Sequence, residues 1–360
     1  MEIQFRHLKE VCKMREKIKI LFFGSGEFPL GTFQKLCSSD DIEVVGLVTS
    51  KDKPMFKNHK VKSLFEVAEE NNIPTLVIGS TFTDEDVEWV RKHRAQFNVV
   101  ISFKKLPQEI IDSAQYSFNV HASILPYFRG AAPINHAIRL GCKQTGLTAF
   151  MLSDKIDCGQ IITNCVVDIE DDDNFESLFN KLAHECVDFT IDVIHRLFEN
   201  RFSLTAQVNY TDNMSDDARK WFTAPKIDSR YTTGWMYDLT PNEIRNLYRS
   251  IYPNDGLYLW MAFDDDDEIR KEFEFKIWDF DIRHVELNTI SYDDNWTYKT
   301  DGKTYLAIPI LCSDNDYLYI KEIQMSGKKR MDIELFLRGY GRYFNEYHYV
   351  SVYDNKIDYI

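Results

Sequence analysis

Through its first half the chain alternates short, nearly unbroken apolar runs with stretches whose apolar residues recur every three to four positions. Residues 17–23 hold Ile18, Ile20, Leu21, Phe22 and Phe23, the composition of a strand buried on both faces. Residues 43–50, 97–102, 116–120 and 146–152 read the same way. Between them, residues 60–71 put Val61, Leu64, Phe65 and Ala68 on one helical face, and residues 131–140 carry Ile134, Ala137 and Ile138. Residues 84–94 begin acidic and end basic, as a helix dipole prefers. A long helix over 173–202 is expected from an Asp173/Glu176 capping box and the stripe Phe175, Leu178, Phe179, Leu182, Phe189, Val193 and Leu197. The alternation predicts an open α/β, Rossmann-like domain.

The second half changes period. Residues 207–236 are polar, rich in Asp, Thr and Asn, and read as a linker. Thr240-Pro241-Asn242-Glu243 is a capping box with proline at the first helical position, opening a helix over 242–250. Aromatic and β-branched runs at 257–263, 273–280, 304–310, 317–323 and 347–353 then predict a small β-barrel, with the acidic run 264–267 at a solvated hairpin tip. The expected organisation is an extension (1–16), an α/β domain (17–206), a linker (207–236), a β domain (237–345) and a tail (346–360). Two domains also follow from 360 residues, more than one core usually supports.

Composition narrows the field. A formal charge of −14 argues against coating nucleic acid by bulk electrostatics, so any such contact has to be local. Seven cysteines without a C-x-x-C pair suggest neither zinc nor a disulfide framework, and fit a reducing compartment. No secretory h-region and no run of about 18 apolar residues occurs, so a cytoplasmic or organellar-matrix protein is expected, with no membrane partner. Met14 is an alternative start, and Glu2, Glu10 and Glu16 count against an organellar presequence. The turn Gly24-Ser25-Gly26 is not a dinucleotide fingerprint, because Pro29 stands where the third glycine belongs.

The chemistry concentrates at Asn119-Val120-His121, where an apolar strand runs out into a loop. Ligands of open α/β sheets bind at such carboxyl ends, and residues two apart on a strand share a face. Two carboxylates, Asp154 and Asp157, follow the later strand in Asp154-Lys155-Ile156-Asp157-Cys158-Gly159.

Asn-x-His-x-Ser-x-Leu-Pro-x-x-Arg-Gly-x-x-Pro over 119–133, followed by Asp157-Cys158-Gly159, resembles the 10-formyltetrahydrofolate-dependent formyltransferases, and within them the methionyl-tRNA formyltransferases. Thr223-Ala224-Pro225-Lys226-Ile227 resembles that family's interdomain bridge. Residues 324–331 with Phe336-Leu337-Arg338-Gly339 resemble the end of its OB-like C-terminal domain.

The resemblance implies Asn119, His121 and Asp157 as the catalytic set, Asp154 capping the turn, no metal, and no obligate protein partner. It implies a 10-formyltetrahydrofolate site lined by Phe103, Leu106, Ser123, Ile124, Leu125 and Pro126, although Lys104 and Lys105 depart from a loop that usually holds glycine. The amine substrate, methionyl-initiator-tRNA, would enter past Arg129 and Gly130. Asp52-Lys53-Pro54 resembles the start of a basic tRNA-contacting loop, shorter here, with Lys53 and Lys57 its candidate contacts; a plain solvated loop is the alternative. Residues 237–360 carry 15 Lys+Arg against 24 Asp+Glu. That acidic balance keeps a nucleotide-linked amino sugar as the alternative acceptor.

Overall fold

The computed structural model describes residues 16–51, 56, 61–207, 215–227, 239–264, 270–284, 297–300, 302–310, 312–340 and 350–352. The expected basic loop with Lys53 and Lys57 lies outside them. By internal contacts the chain divides into two units, the second beginning for the most part at Ile227.

The first unit runs β1 (Ile18–Gly24), α1 (Leu30–Cys37), β2 (Ile42–Ser50), α2 (Leu64–Glu70), β3 (Thr75–Ile78), α3 (Asp84–Lys92), β4 (Phe97–Ile101) and α4 (Gln108–Ile111). It continues with β5 (Tyr116–His121), β6 (Arg129–Gly130), α5 (Pro133–Arg139), β7 (Gln144–Met151), β8 (Ile161–Asp168), α6 (Phe175–Phe198), α7 (Asp216–Phe222) and β9 (Thr223–Ala224). Seven strands make one sheet in the order β3-β2-β1-β4-β5-β7-β8. The pairs from β3 to β5 are parallel, and β7 and β8 are added antiparallel.

Continuous hydrophobicity marks the strands because both faces are covered. Leu21 and Phe23 pack with Val48, Ile78, Val90, Val100, Leu106 and Ile110 on one side. Phe22, of opposite parity, meets Phe33 of α1 with ring centroids 5.1 Å apart. Helix starts follow their side chains. Ser63 and Glu66 cap α2 reciprocally, and Thr83 and Asp86 do the same for α3, each cap contributing about 1 kcal/mol.

From β1 the chain winds outward through β2 and β3, then crosses back to β4 and β5 on the other side. The strand order therefore reverses between β1 and β4, and the crevice at their carboxyl ends is where such sheets take ligands.

The stretch read as linker carries order of its own. Ser215 accepts from the Ala218 amide and caps α7, and β9 pairs in parallel with β6. Trp221 and Phe222 anchor it, with Phe222 stacked on Tyr127 at 5.2 Å and Trp221 6.2 Å from Phe128.

The second unit holds α8 (Pro241–Ile251), β10 (Leu257–Asp264), β11 (Arg270–His284), β12 (Thr297–Thr300), β13 (Lys303–Pro309), β14 (Asp316–Met325), β15 (Met331–Asp332), α9 (Ile333–Tyr340) and β16 (Val350–Val352). Its sheet is antiparallel, in the order β12-β13-β14-β11-β10-β16, with β15 on β14. The barrel expectation is met as an antiparallel sheet: among the described residues no pairing joins β12 to β16, so no closed barrel is formed by them. Leu257, Leu259, Phe275, Ile277, Leu318 and Ile320 line its core with Ile244 and Leu247 of α8 and Phe336 of α9.

Candidate active site

β5 ends in the candidate residues. Asn119 and His121 share a face because they are two apart, and Asn119 is registered between Val100 of β4 and Phe150 of β7. Asn119 is half-buried, and among the described residues its side chain has no hydrogen-bond partner. His121 is buried; its Nε2 lies 2.8 Å from the Phe128 carbonyl oxygen. A carbonyl can only accept, so Nε2 carries the hydrogen that this bond uses. Nδ1 faces Asp157 Oδ2 at 3.8 Å, with the two side chains only 8% and 12% exposed. Asp154, the competing carboxylate, is exposed.

The chain is bent locally to bring Asp157 there. A Cβ at Gly159 would stand 1.6 Å from the Met151 carbonyl oxygen, so the segment can fold back over the end of β7 only with glycine at that position. Asp157 itself has φ +52°, a left-handed conformation uncommon for a residue with a side chain. Its carboxylate accepts from the Gly130 amide at 2.9 Å. Gly130 has φ +123° and its missing Cβ would meet the Ala224 oxygen at 2.7 Å, which explains Arg-Gly at β6.

The intervening loop is held from beneath. Thr148 of β7 accepts from the Leu125 amide at 3.0 Å and donates to the Ser123 carbonyl at 2.6 Å, while Ser123 donates to the Tyr127 carbonyl at 2.6 Å. Ser123 and Leu125 therefore face inward and are buried, leaving Ile124 and Pro126, both half-buried, as the surface of that loop.

Phe103 and Leu106 lie across the switch point. Leu106 is buried in the core beneath, and Phe103 is edge-on to Phe23 and Phe82 at 6.0 and 6.5 Å. Among the described residues the backbone of 103–106 makes no hydrogen bond, so its N–H and C=O groups remain available to a planar, hydrogen-bonding heterocycle. Lys104 is turned aside, its ammonium held by the Gly79 and Ser80 carbonyls, and Lys105 is exposed.

Gln207 was not expected from the sequence. Its Nε2 donates to the Asp157 carbonyl at 3.0 Å and the Gly159 carbonyl at 2.7 Å. Its Oε1 accepts from Arg129 Nε at 3.1 Å and Nη2 at 2.6 Å. A lone glutamine in a polar run carries no periodic signal.

Among the described residues, no group of three or more His, Cys, Asp or Glu side chains is arranged to hold a metal, and no helix is long and apolar enough to cross a membrane.

The arrangement presents an unengaged amide donor and an imidazole facing a carboxylate at the end of one strand. Comparison with known proteins gives the family. Residues 17–194 match the formyl transferase family and residues 235–341 the formyl transferase C-terminal domain. A methionyl-tRNA formyltransferase of Flavobacterium johnsoniae is 30% identical over 330 residues, covering 90% of this chain and 96% of that protein. One from Bacteroides fragilis is 26% identical over 330 residues, covering 91% and 96%. The fold is similar to that of WlaRD, a sugar 3N-formyl transferase (TM-score 0.54, 18% identity, 88% of this chain and 100% of that one). It is also similar to HypX from Aquifex aeolicus in complex with tetrahydrofolic acid (TM-score 0.53, 12% identity, 91% and 48%).

Proposed function

Because this chain belongs to the formyltransferase family in both its N-terminal and C-terminal parts, we propose that it transfers a formyl group from 10-formyltetrahydrofolate to the free amine of methionyl-initiator-tRNA. The observation that carries the reading is the convergence of His121 on Asp157, with Asn119 unengaged on the same strand face among the described residues.

 Gly130 precedes Asp157 by 27 residues, and its amide fixes the carboxylate that His121 faces. Among the described residues no other carboxylate is paired with that imidazole.

Bound here, the folate co-substrate would supply the formyl carbon at the level of a carbonyl. The unpaired backbone of 103–106 suits the edge of its pterin ring, and Ile124 and Pro126 offer the apolar surface beside it. Asn119 would donate to the carbonyl oxygen as that oxygen gains negative charge, an effect worth about 3 kcal/mol where such donors have been removed elsewhere. His121, its Nε2 hydrogen already given to the Phe128 carbonyl, would act on that charge from its Nδ1 side, which faces Asp157. Asp157 would take the proton lost by the attacking amine, directly or through water, as the bond from nitrogen to the formyl carbon forms, and that proton would pass to the folate nitrogen as its bond to the formyl carbon breaks. Holding the two substrates face to face accounts for much of the remaining rate gain.

A nucleotide-linked amino sugar is the second reading, favoured by the acidic charge of residues 237–360 and by the fold shared with a sugar 3N-formyl transferase. The deciding experiment supplies 10-formyltetrahydrofolate with methionyl-initiator-tRNA in one tube and dTDP- or UDP-amino sugars in another. Formyl incorporation into the tRNA-bound methionine is expected. Incorporation into the sugars alone would replace the first reading with the second.

A further inference from the structure

We infer that Gln207 is a positioning residue for the reaction, a clamp that sets where the Asp157 carboxylate stands. The inference rests on the function proposed above.

Four hydrogen bonds meet at one side-chain amide. Nε2 donates to the carbonyls of Asp157 and Gly159, at 3.0 and 2.7 Å. Oε1 accepts from Nε and Nη2 of Arg129, at 3.1 and 2.6 Å. The orientation of the amide is fixed by its surroundings, since the reverse would set an oxygen against two carbonyl oxygens and an NH2 group against a guanidinium. Gln207 thereby ties the turn carrying Asp157 to the residue just before Gly130, whose amide holds the Asp157 carboxylate at 2.9 Å.

The clamp acts where the backbone needs it. Asp157 has φ +52°, and such conformations persist when neighbouring contacts over-determine them. Without the two Nε2 bonds the turn is free to relax toward a commoner conformation. The carboxylate then leaves both Gly130 and His121 Nδ1, which it faces at 3.8 Å. Gln207 touches neither Asn119 nor His121 among the described contacts, so its effect travels through Asp157, Gly159 and Arg129.

The test uses the full-length chain. Gln207→Met keeps length and volume and removes all four hydrogen bonds, while Gln207→Glu keeps an acceptor for Arg129 and removes the donors to Asp157 and Gly159. Both are expected to lower kcat about 10- to 100-fold, the scale of a misplacement near 1 Å, with KM for 10-formyltetrahydrofolate changed less than about twofold on the same reasoning.

A second readout does not depend on turnover. With 15N-glycine and 13C-carbonyl arginine labels, only Gly130 and Gly339 follow an arginine among the 15 glycines, and the Gly130 signal, told from Gly339 by the loss of the latter in Gly339→Ala, where an added Cβ meets no atom within 4 Å, reports the hydrogen bond to Asp157. That signal is expected to move in both Gln207 variants in the direction it moves in Asp157→Asn, while glycines of the second unit stay in place. Unchanged kcat in both variants, or a Gly130 signal at its wild-type position, would overturn the inference. So would loss of activity matched by a general collapse of the spectrum in both. Wild-type protein that transfers no formyl group to either acceptor would count against the proposed function, whereas the Gly130 signal tests the clamp independently.

Discussion

Among the described residues the Asn119 amide has no partner, and that makes its substitution the cleanest probe of the chemistry. Asn119→Ala removes a donor without leaving a protein group unpaired, so kcat is expected to fall about 100- to 1,000-fold with little change in melting temperature, measured by single-turnover formyl transfer and calorimetry. His121→Ala and Asp157→Asn differ from it: the first leaves the Phe128 carbonyl and Asp157 without their imidazole partner, the second exchanges the carboxylate that His121 and Gly130 face for a neutral amide, and both activity and local order should suffer. The thiols offer a check on burial. Desolvation pushes Cys186 and Cys37 up to about 11, so at pH 8 both are protonated and should resist alkylation in the folded protein until denaturant is added. Residue identity made Asn119, His121 and Asp157 legible in the sequence, because a motif names them. Gln207 was illegible, since its meaning comes only from the four groups that surround it.

Among the elements, β7 carries more than its share of the site. Thr148 anchors the loop after β5 by accepting from Leu125 and donating to Ser123. Thr148→Val keeps the shape and strands both groups, and it should cost about 1 to 3 kcal/mol in urea unfolding. β1, β2, β4 and β5 were readable because burial on both faces makes continuous apolar runs, whereas β3, a four-residue edge strand with only Ile78 buried, was not read. β8 was not: it is the last strand of its sheet, its residues from Asn164 to Asp168 alternate between exposed and half-buried, and polar positions interrupt the run. α7 and β9 escaped notice for a related reason, being short elements in a polar stretch whose order comes from Trp221 and Phe222 meeting Phe128 and Tyr127.

For the whole molecule, net charge bears on which acceptor is used. A chain at −14 gains no general attraction for a polyanion. If tRNA is the acceptor, its KM should rise steeply with salt; two phosphates of a nucleotide sugar limit the slope to about 1.4 per decade of salt. Measuring KM between 50 and 200 mM KCl, as about a fourfold span suited to this comparison, separates the two. The close approach of Gly130 to Ala224 has a practical corollary for anyone dissecting the gene. The family segment stops at residue 194, yet the masonry of its catalytic half extends to Ala224. A fragment ending at 206 would keep the 119–133 and 157–159 motifs and lose both Gln207 and the strand behind Arg129 and Gly130; one ending at 226 would retain both. Trypsin should cut the shorter fragment within its 122–130 loop and spare that loop in the longer one.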